Sequence, residues 1–501
     1  MLVFFEGYEY PPELIARYFT EAEQKLHCFE FQIGKSGKGL CASRVGYFYV
    51  SCEKYSGPIF FLPKLFLQED KLNKDKQLTL LGRKEIYPET IVDTDSDEDP
   101  LKLQGYDTFL PELSLWLFRA MSRYIEDCKK DPTEDLLADL QYTTPDNASA
   151  DHDFLSAAIR LIDFLSDHRN IFTQIHLTNT SGRSQPDWRR TLRTNPFIKD
   201  GKPFYSQLLV KDNALNISEE LIILYYSVLN YLKETFNFPI DLGDELPYEL
   251  KPASEIQRYL DTGIGRSKMR DMKGNYHRDD LVLLWHLLDA FFDNNSNRDD
   301  KEPIKEYLYV TKFDSVFEKM VDHLIGDTDT LSALKKQKDG KLVDHIYMDR
   351  SLVDKQHNIY FIGDSKYYLD ESRPEGVPLY KQYTYARNAI QFNIDEYHLA
   401  HKNNPNSIRY RDEETDGYNI TPNFFIRPSL EDDKLDFGTP SLVPTDWEPK
   451  PNKHYENRLF DRDTLLLKEF SINLIFLIAA YGAYEDHWTD GLRSTIRKEM
   501  V

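Results

Sequence analysis

Short apolar runs and longer helical patterns alternate along the chain and divide it into three stretches. Residues 1–125 look strand-rich, with runs such as GYFYV at 46–50 between Gly- and Pro-containing turns. Residues 126–300 show mainly helical spacing, and residues 301–501 mix both patterns. We therefore predict an α/β (α+β multidomain) protein with a strand-rich N-terminal domain, a helical middle region and a mixed C-terminal domain.

Apolar residues three and four positions apart predict the individual helices. The predicted helices are Phe154–Ser166, Leu221–Phe236, Lys312–Ile325, Leu379–Phe392 and Asp463–Tyr484. On Lys312–Ile325 the apolar residues form one clean stripe. Glu318 lies well off the centre of that stripe, so it is either at the surface or directed into a cleft.

The most informative segment is Lys341–Tyr368, where two apolar runs flank a polar, turn-like insert. Asp344 stands near the start of the first run, and the second run ends in Asp364-Ser365-Lys366. Side chains alternate between the faces of a strand, so Asp364 and Lys366 project from the same side. If the two runs pair as an antiparallel hairpin, Asp344 joins them.

Two carboxylates and an ammonium in one patch suit phosphodiester hydrolysis. Asp344 and Asp364 would hold Mg²⁺, or alternatively Mn²⁺, through oxygen. The ion would lower the pKa of a water and stabilise charge on the phosphate, while Lys366 orients or activates that water. An exposed strand end with an ordinary ion pair remains the alternative at this stage.

The net charge of −22 argues against a protein that grips nucleic acid unaided, because such proteins normally present a basic surface. A partner that delivers DNA would reconcile this charge with a nuclease. The N-terminus has no basic region typical of a secretory signal, and the longest apolar stretch is too short for a membrane span. Four cysteines lack zinc-ligand spacing. We expect a soluble, cytoplasmic protein with no membrane association.

One basic island, residues 183–202, stands out in this acidic chain. Its arginines are candidates for DNA phosphate contacts: Arg183, Arg189, Arg190 and Arg193. An acidic partner surface, or a solvated loop that braces neighbouring carboxylates, explains the island equally well. After the glycine-rich tract at 34–39 come Leu40 and Cys41, where a phosphate loop needs Lys and Ser/Thr, so we predict a hairpin turn there and no NTPase activity by that route.

The order of elements resembles the PD-(D/E)XK nuclease superfamily: a helix with Glu318, a strand with Asp344, a strand that ends Asp-x-Lys, and a helix with Lys381 and Gln382. Val343 replaces the first proline of that label. DSKYY at 364–368 is similar to the motif of LlaJI-like and McrC-like restriction subunits. Further short similarities are GYFYV at 46–50, FLPKL at 61–65, NTSGRSQPDWRRTL at 179–192, FEKMV at 317–321 and YKQYTYA at 380–386.

The resemblance implies a PD-(D/E)XK fold for residues 301–501, with a central mixed sheet flanked by helices. It further implies a DNA-cleaving subunit of an anti-phage restriction system that works with a McrB-like AAA+ GTPase. Asp344 and Asp364 would be the metal ligands and Lys366 the catalytic lysine. Glu318 would be an accessory ligand, and Gln382 and Lys381 would contact the phosphate or the metal shell.

Two other functions stay open. One is a non-catalytic adaptor with a nuclease-like scaffold, which binds through residues 1–300. The other is a stand-alone DNA repair nuclease, which the acidic charge disfavours. If the chain makes double-strand breaks, it needs two active sites, so a dimer or paired complexes are expected.

Overall fold

The computed structural model describes residues 1–18, 32–34, 39–51, 55–69, 78–82, 86–92, 106–130, 140–142, 154–168, 175–179, 188–205, 209–214, 220–243, 249–296, 304–327, 343–352, 358–367, 380–382, 384–386, 421–430, 436–447, 466–484 and 487–501. By their internal contacts, residues 144–306 form one unit, and residues 2–143 with 307–501 form the other. The domain boundaries predicted from sequence, after residues 125 and 300, stay a prediction.

The strands are β1 Leu2–Phe5, β2 Gln32–Ile33, β3 Leu40–Cys41, β4 Val45–Ser51, β5 Ser56–Leu62, β6 Leu67–Glu69, β7 Leu78–Leu80, β8 Leu140–Tyr142, β9 Ile175–Asn179, β10 Phe197–Lys199, β11 Lys202–Phe204, β12 Val210–Ala214, β13 Ile304–Val310, β14 His345–Arg350, β15 Asn358–Ser365, β16 Asn423–Ser429, β17 Leu442–Pro444 and β18 Leu467–Asn473.

The helices are α1 Pro12–Tyr18, α2 Pro88–Val92, α3 Tyr106–Lys130, α4 Phe154–Asp167, α5 Trp188–Thr191, α6 Glu220–Phe236, α7 Ala253–Thr262, α8 Ile264–Met272, α9 Asp279–Ser296, α10 Phe313–Ile325, α11 Leu474–Gly482 and α12 Thr489–Met500. A short 3-10 turn occupies Lys64–Phe66. Residues 380–382 and 384–386 are helical, and the rest of the helix predicted over Leu379–Phe392 lies outside the described residues.

The N-terminal sheet has the order β1-β5-β4-β13-β8. Strand β1 runs parallel to β5, whereas β4 and β5 form an antiparallel hairpin. Aromatic side chains fill its core, with Phe48 against both Phe61 and Tyr309. Strand β13 belongs to this sheet, although it lies more than 250 residues from β4 along the chain. Strands β2 and β3, which flank the glycine-rich tract, pair antiparallel, and residues 35–38 of the tract lie outside the described residues.

The C-terminal sheet has the order β14-β15-β16-β18-β17 and is mixed. The pairs β14–β15 and β17–β18 are antiparallel, while β15–β16 and β16–β18 are parallel. Helix α10 packs on β14 and β15, and α11 packs on α3 and α10. The predicted class, a mixed α/β chain with a strand-rich N-terminus and a C-terminal mixed sheet flanked by helices, is confirmed.

The helix predicted over Asp463–Tyr484 is wrong in its first half. Residues 467–473 form strand β18, and the helix begins only at Leu474. In β18 apolar and polar residues alternate from Phe470 to Asn473, which is a strand pattern, and the strand is paired on both sides, with β16 and β17. Asn473 makes the transition, because its side chain accepts a hydrogen bond from Ile475 N at 3.0 Å and caps α11.

The unit of residues 144–306 is mainly helical, as predicted for the middle region. Helices α4, α6 and α9 share an aromatic core in which Phe154 contacts both Phe236 and Phe291. Helices α7 and α8 complete the packing. Two small two-stranded antiparallel sheets, β9–β12 and β10–β11, belong to the same unit. Within the described residues, no helix combines the length and apolar character needed to cross a lipid bilayer.

Gly363 allows β15 to pack closely on its neighbour. A Cβ at this position would lie 2.1 Å from the ring of the fully buried Phe424 on β16. We expect Gly363→Ala to lower the free energy of unfolding by about 1–3 kcal/mol, the usual cost of overpacking. Urea titration measures this. The control is Gly491→Ala on α12, where no atom lies within 4 Å of the added methyl. That control should gain up to about 1 kcal/mol; equal effects of the two variants would contradict the packing argument.

Candidate active site

The hairpin β14–β15 brings the two predicted aspartates together. Its register pairs His345 with Gly363, so Asp344 and Asp364 follow at the next step of the same ladder. The apolar run before Asp364 is buried on both faces, which places this carboxylate at the end of a rigid central strand. The antiparallel hairpin predicted from the sequence is thus present.

Lys366 lies among three carboxylates. Its Nζ is 3.0 Å from Asp364 Oδ1, 3.3 Å from Asp344 Oδ2 and 3.4 Å from Glu318 Oε1. Its backbone N–H donates to Ile426 O at 2.9 Å, which continues the pairing of β15 with β16. The predicted side-chain cluster of Asp344, Asp364, Lys366 and Glu318 is therefore assembled; we call it the carboxylate–lysine cluster.

Glu318 comes from α10, the helix whose apolar stripe packs against the sheet. Phe317 and Val321 on that stripe are fully buried, while the Glu318 side chain keeps about a third of its surface exposed, 36%. The sequence left two options for Glu318, surface or cleft. The structure places it at the edge of the carboxylate–lysine cluster.

Lys381 adds a second cation. Its Nζ lies 3.9 Å from Oδ1 of both Asp344 and Asp364. Gln382 does not contact the cluster: it is buried, and its amide donates to Ile362 O at 2.9 Å. In the structure Gln382 therefore anchors its helix to β15, and its proposed contact with phosphate or the metal shell stays a prediction.

The pKa values in the cluster are strongly displaced. Burial, reinforced by the adjacent Asp344, raises the pKa of Asp364 to about 8. Burial and Asp344 also raise the pKa of Glu318 to about 7. Burial acts in the same sense on Asp344, but its hydrogen bond with Asp364 and the charge of Lys366 outweigh burial and lower its pKa. Near neutral pH these shifts favour one proton held by the Asp344–Asp364 pair over two negative charges.

Lys366 stays charged in this environment. Burial alone would lower its pKa, but the attraction of Asp344, Asp364 and Glu318 is larger and raises the pKa above its ordinary value. A protonated lysine donates hydrogen bonds and stabilises negative charge, and it cannot accept a proton. In this state Lys366 is therefore suited to orientation and electrostatic stabilisation.

The donor set fits a hard divalent cation. Apart from the Lys366 ammonium and the neighbouring Asp344 carboxyl, no described residue forms a hydrogen bond with the buried oxygens of Asp364. Two lysine ammonium groups lie close to the Asp344–Asp364 pair, as expected for carboxyl groups that attract cations. Mg²⁺ is commonly bound by one or two carboxylates, with waters and substrate phosphates completing its shell. Among the described residues no three acidic, histidine or cysteine side chains are arranged to hold a metal by themselves, so such additional ligands would be required here.

The basic island lies in the unit of residues 144–306. Arg189 and Arg190 on α5 and the nearby Arg193 are exposed, whereas Arg183 lies outside the described residues. Their contact with DNA stays a prediction. Sequence reasoning missed the apolar side chains exposed in the same segment: Trp188, Leu192, Phe197, Ile198 and Phe204. The sequence contained a signal for this exposed apolar surface, since aromatic and basic residues are interleaved in and directly after the basic island.

Comparisons with known proteins give two distant structural likenesses. No family model and no curated protein matches the chain. One solved structure, the refined half-complex from a tetradecameric assembly of Thermococcus gammatolerans McrB AAA+ hexamers with bound McrC, is 12% identical, covers 99% of each chain and has a TM-score of 0.32. A second, the Thermococcus gammatolerans McrBC complex, is 10% identical, covers 64% of this chain and 85% of the other, and has a TM-score of 0.20. At these TM-scores neither likeness carries a conclusion about this chain.

Proposed function

We propose that this protein is a Mg²⁺-dependent DNA endonuclease whose active site is the carboxylate–lysine cluster. One observation carries the proposal: Lys366 Nζ lies within 3.4 Å of carboxylate oxygens from Asp344, Asp364 and Glu318 at the end of a buried strand. The arrangement supplies oxygen ligands for a divalent cation and a fixed positive charge beside them. Both features serve the hydrolysis of an anionic phosphodiester.

Each residue has a distinct role in this proposal. Asp344 and Asp364 would hold Mg²⁺ or Mn²⁺, and Asp364 releases its proton when the cation binds. The cation supplies a water of lowered pKa and neutralises charge on the phosphate. Lys366 stabilises the negative charge that develops on the scissile phosphate, and Lys381 contacts a phosphate oxygen. Glu318, with a pKa of about 7, can accept a proton at Oε1 near neutral pH.

We further propose that the chain works as the cleaving subunit of an anti-phage restriction system with a McrB-like AAA+ GTPase. The short sequence similarities to McrC-like and LlaJI-like subunits support this partner. The net charge of −22 adds support, because a chain this acidic binds DNA better when a partner delivers it. A GTPase gene in the neighbouring reading frame is expected. Double-strand cleavage would use a dimer or paired complexes; a single monomeric particle that cuts both strands in one encounter contradicts this part.

A non-catalytic adaptor remains the second candidate. The exposed basic and apolar side chains of residues 188–204 favour it, because such a surface suits the binding of a partner. An adaptor requires no metal and shows no cleavage. A stand-alone repair nuclease, by contrast, would cut efficiently without any NTPase.

Cleavage of supercoiled plasmid tests the proposal. We expect nicking with Mg²⁺ or Mn²⁺ and none with EDTA, assayed alone and with the GTPase of the neighbouring reading frame plus GTP. Lys366→Met should lower the single-turnover rate about 10²–10³-fold, the usual cost of removing one preorganised charge. Lys319→Met, which removes a lysine of α10 outside the cluster, is the matched control and should cleave at the wild-type rate. If the wild-type protein never nicks DNA with either metal at any partner concentration, the nuclease proposal is wrong and the protein is a non-catalytic adaptor.

A further inference from the structure

Tyr367, the residue directly after Lys366, is held between two parts of the fold. On one side its ring packs against Phe313 and Phe317 of α10, with ring centroids 5.3 and 6.1 Å apart. On the other side it meets residues at the ends of two strands of the N-terminal sheet. Phe317 is the neighbour of Glu318, so Tyr367 touches the helix that contributes the third carboxylate of the cluster.

Polar contacts tie Tyr367 to the N-terminal sheet. Its hydroxyl donates to Glu6 Oε2 at 3.3 Å, and the Lys64 backbone N–H donates to the same oxygen at 3.2 Å. The Lys64 ammonium lies 5.3 Å from the centroid of the tyrosine ring. We call these contacts of Tyr367 with Glu6 and Lys64 the clamp. Glu6 directly follows β1 and Lys64 follows β5, so the clamp lies at the ends of two paired strands.

The clamp completes the support of the Lys366 backbone. The lysine N–H is bonded to Ile426 O on β16 at 2.9 Å, and one residue later Tyr367 is fixed by Glu6. The backbone is thereby held on both sides of the lysine Cα. A flexible four-carbon side chain reaches its target reproducibly only if its backbone origin is fixed.

Burial of the Glu6 carboxylate at this contact is energetically unfavourable. Burial raises its pKa, although the Lys64 charge opposes the shift. An apolar residue would fill the space without that cost. Glu6 Oε2 nevertheless accepts from the Tyr367 hydroxyl, and this hydrogen bond links Glu6 to the residues that directly follow β15.

We propose that Glu6 and Tyr367 are positioning residues that set the location of the Lys366 ammonium relative to Asp344 and Asp364. The proposal rests on the nuclease function above. Neither residue touches the substrate in this account; both act through the lysine. The N-terminal sheet thereby becomes part of the catalytic support, so a displacement of β1 would be transmitted to Lys366.

Rates of plasmid nicking by full-length variants test the proposal. Tyr367→Phe removes only the hydroxyl, and Glu6→Leu removes the acceptor; we expect each to lower kcat about tenfold or more, with the KM for DNA unchanged, because small displacements of a catalytic group cost this much. The double variant should lose no more than the worse single variant. Glu6→Gln keeps an acceptor oxygen and should lose at most about threefold.

Tyr8→Phe is the matched control. It also removes a part-buried tyrosine–glutamate hydrogen bond, from Tyr8 to Glu89 Oε1 at 2.7 Å, but this bond lies outside the clamp. The proposal requires Tyr367→Phe and Tyr8→Phe to shift the thermal midpoint equally while only the former lowers kcat. Wild-type rates for Tyr367→Phe and Glu6→Leu would overturn the positioning role and leave the nuclease function standing. A wild-type protein with no metal-dependent nicking removes both.

Discussion

Asp364→Asn is expected to lower the rate of Mg²⁺-dependent DNA cleavage by about 10³-fold or more. Asp364 is 1% exposed and supplies one of the two carboxylates that face Lys366 and Lys381. Asparagine keeps the shape and one oxygen but removes the negative charge, and without that charge the pair holds a divalent cation weakly. Single-turnover cleavage of plasmid DNA by excess protein measures the loss without interference from product release.

Asp349→Asn on β14 is the control for this variant, because Asp349 lies in the same hairpin and, among the described residues, its carboxylate bonds only locally, to the Arg350 N–H at 2.6 Å. The control should cleave at the wild-type rate. If Asp364→Asn retained the wild-type rate at saturating Mg²⁺ while folded, the cluster would be a structural ion-pair network and the hydrolytic role would be abandoned.

The stability of the metal-free protein should respond to the same substitution in a pH-dependent way. The pKa of Asp364 rises from 3.8 to about 8 on folding. Between these values the folded state binds more protons than the unfolded state, so this group makes stability fall as pH rises from about 4 to about 8. Each pKa unit corresponds to about 1.4 kcal/mol, and a penalty of a few kcal/mol at pH 8 follows.

Asp364→Asn carries no such penalty, so it should be more stable than the wild-type protein at pH 8 and the difference should shrink toward pH 4. Urea titrations in EDTA at several pH values measure this. Only the difference between the two proteins is informative, since the net charge of −22 and Glu318 contribute a decline common to both. A constant difference across this range would show that Asp364 ionises normally, contrary to the account. Functional sites commonly lower the free energy of unfolding of the protein that carries them.

Much of the candidate site was predictable because its geometry is local. Two apolar runs joined by a short polar segment favour a hairpin, and the alternation of side chains then puts Asp364 and Lys366 on one face beside Asp344. The position of Glu318 beside the cluster was not predictable. Periodicity gives the direction in which its side chain leaves the α10 axis, but not which residues pack against that side of the helix.

Features that depend on contacts between residues far apart along the chain could not be predicted from the sequence. The contact between Tyr367 and Glu6 joins residues 361 positions apart, and no local pattern marks either residue for it. The position of β13 in the N-terminal sheet depends on its pairing with both β4 and β8, which are distant along the chain, and likewise cannot be read from one segment. The strand–helix boundary at Asn473 was missed for a different reason: the apolar–polar alternation from Phe470 to Asn473 is short, and the continuous apolar run that follows has no period that distinguishes strand from helix.

Mn²⁺ binding measured by calorimetry or electron paramagnetic resonance tests the central claim most directly, because it requires neither DNA nor a partner. The account predicts that the wild-type protein binds Mn²⁺, that Asp344→Asn and Asp364→Asn each weaken binding at least about tenfold, and that Asp349→Asn does not. Binding of equal strength in all four proteins, or in none, would contradict a metal site built from Asp344 and Asp364 beside Lys366.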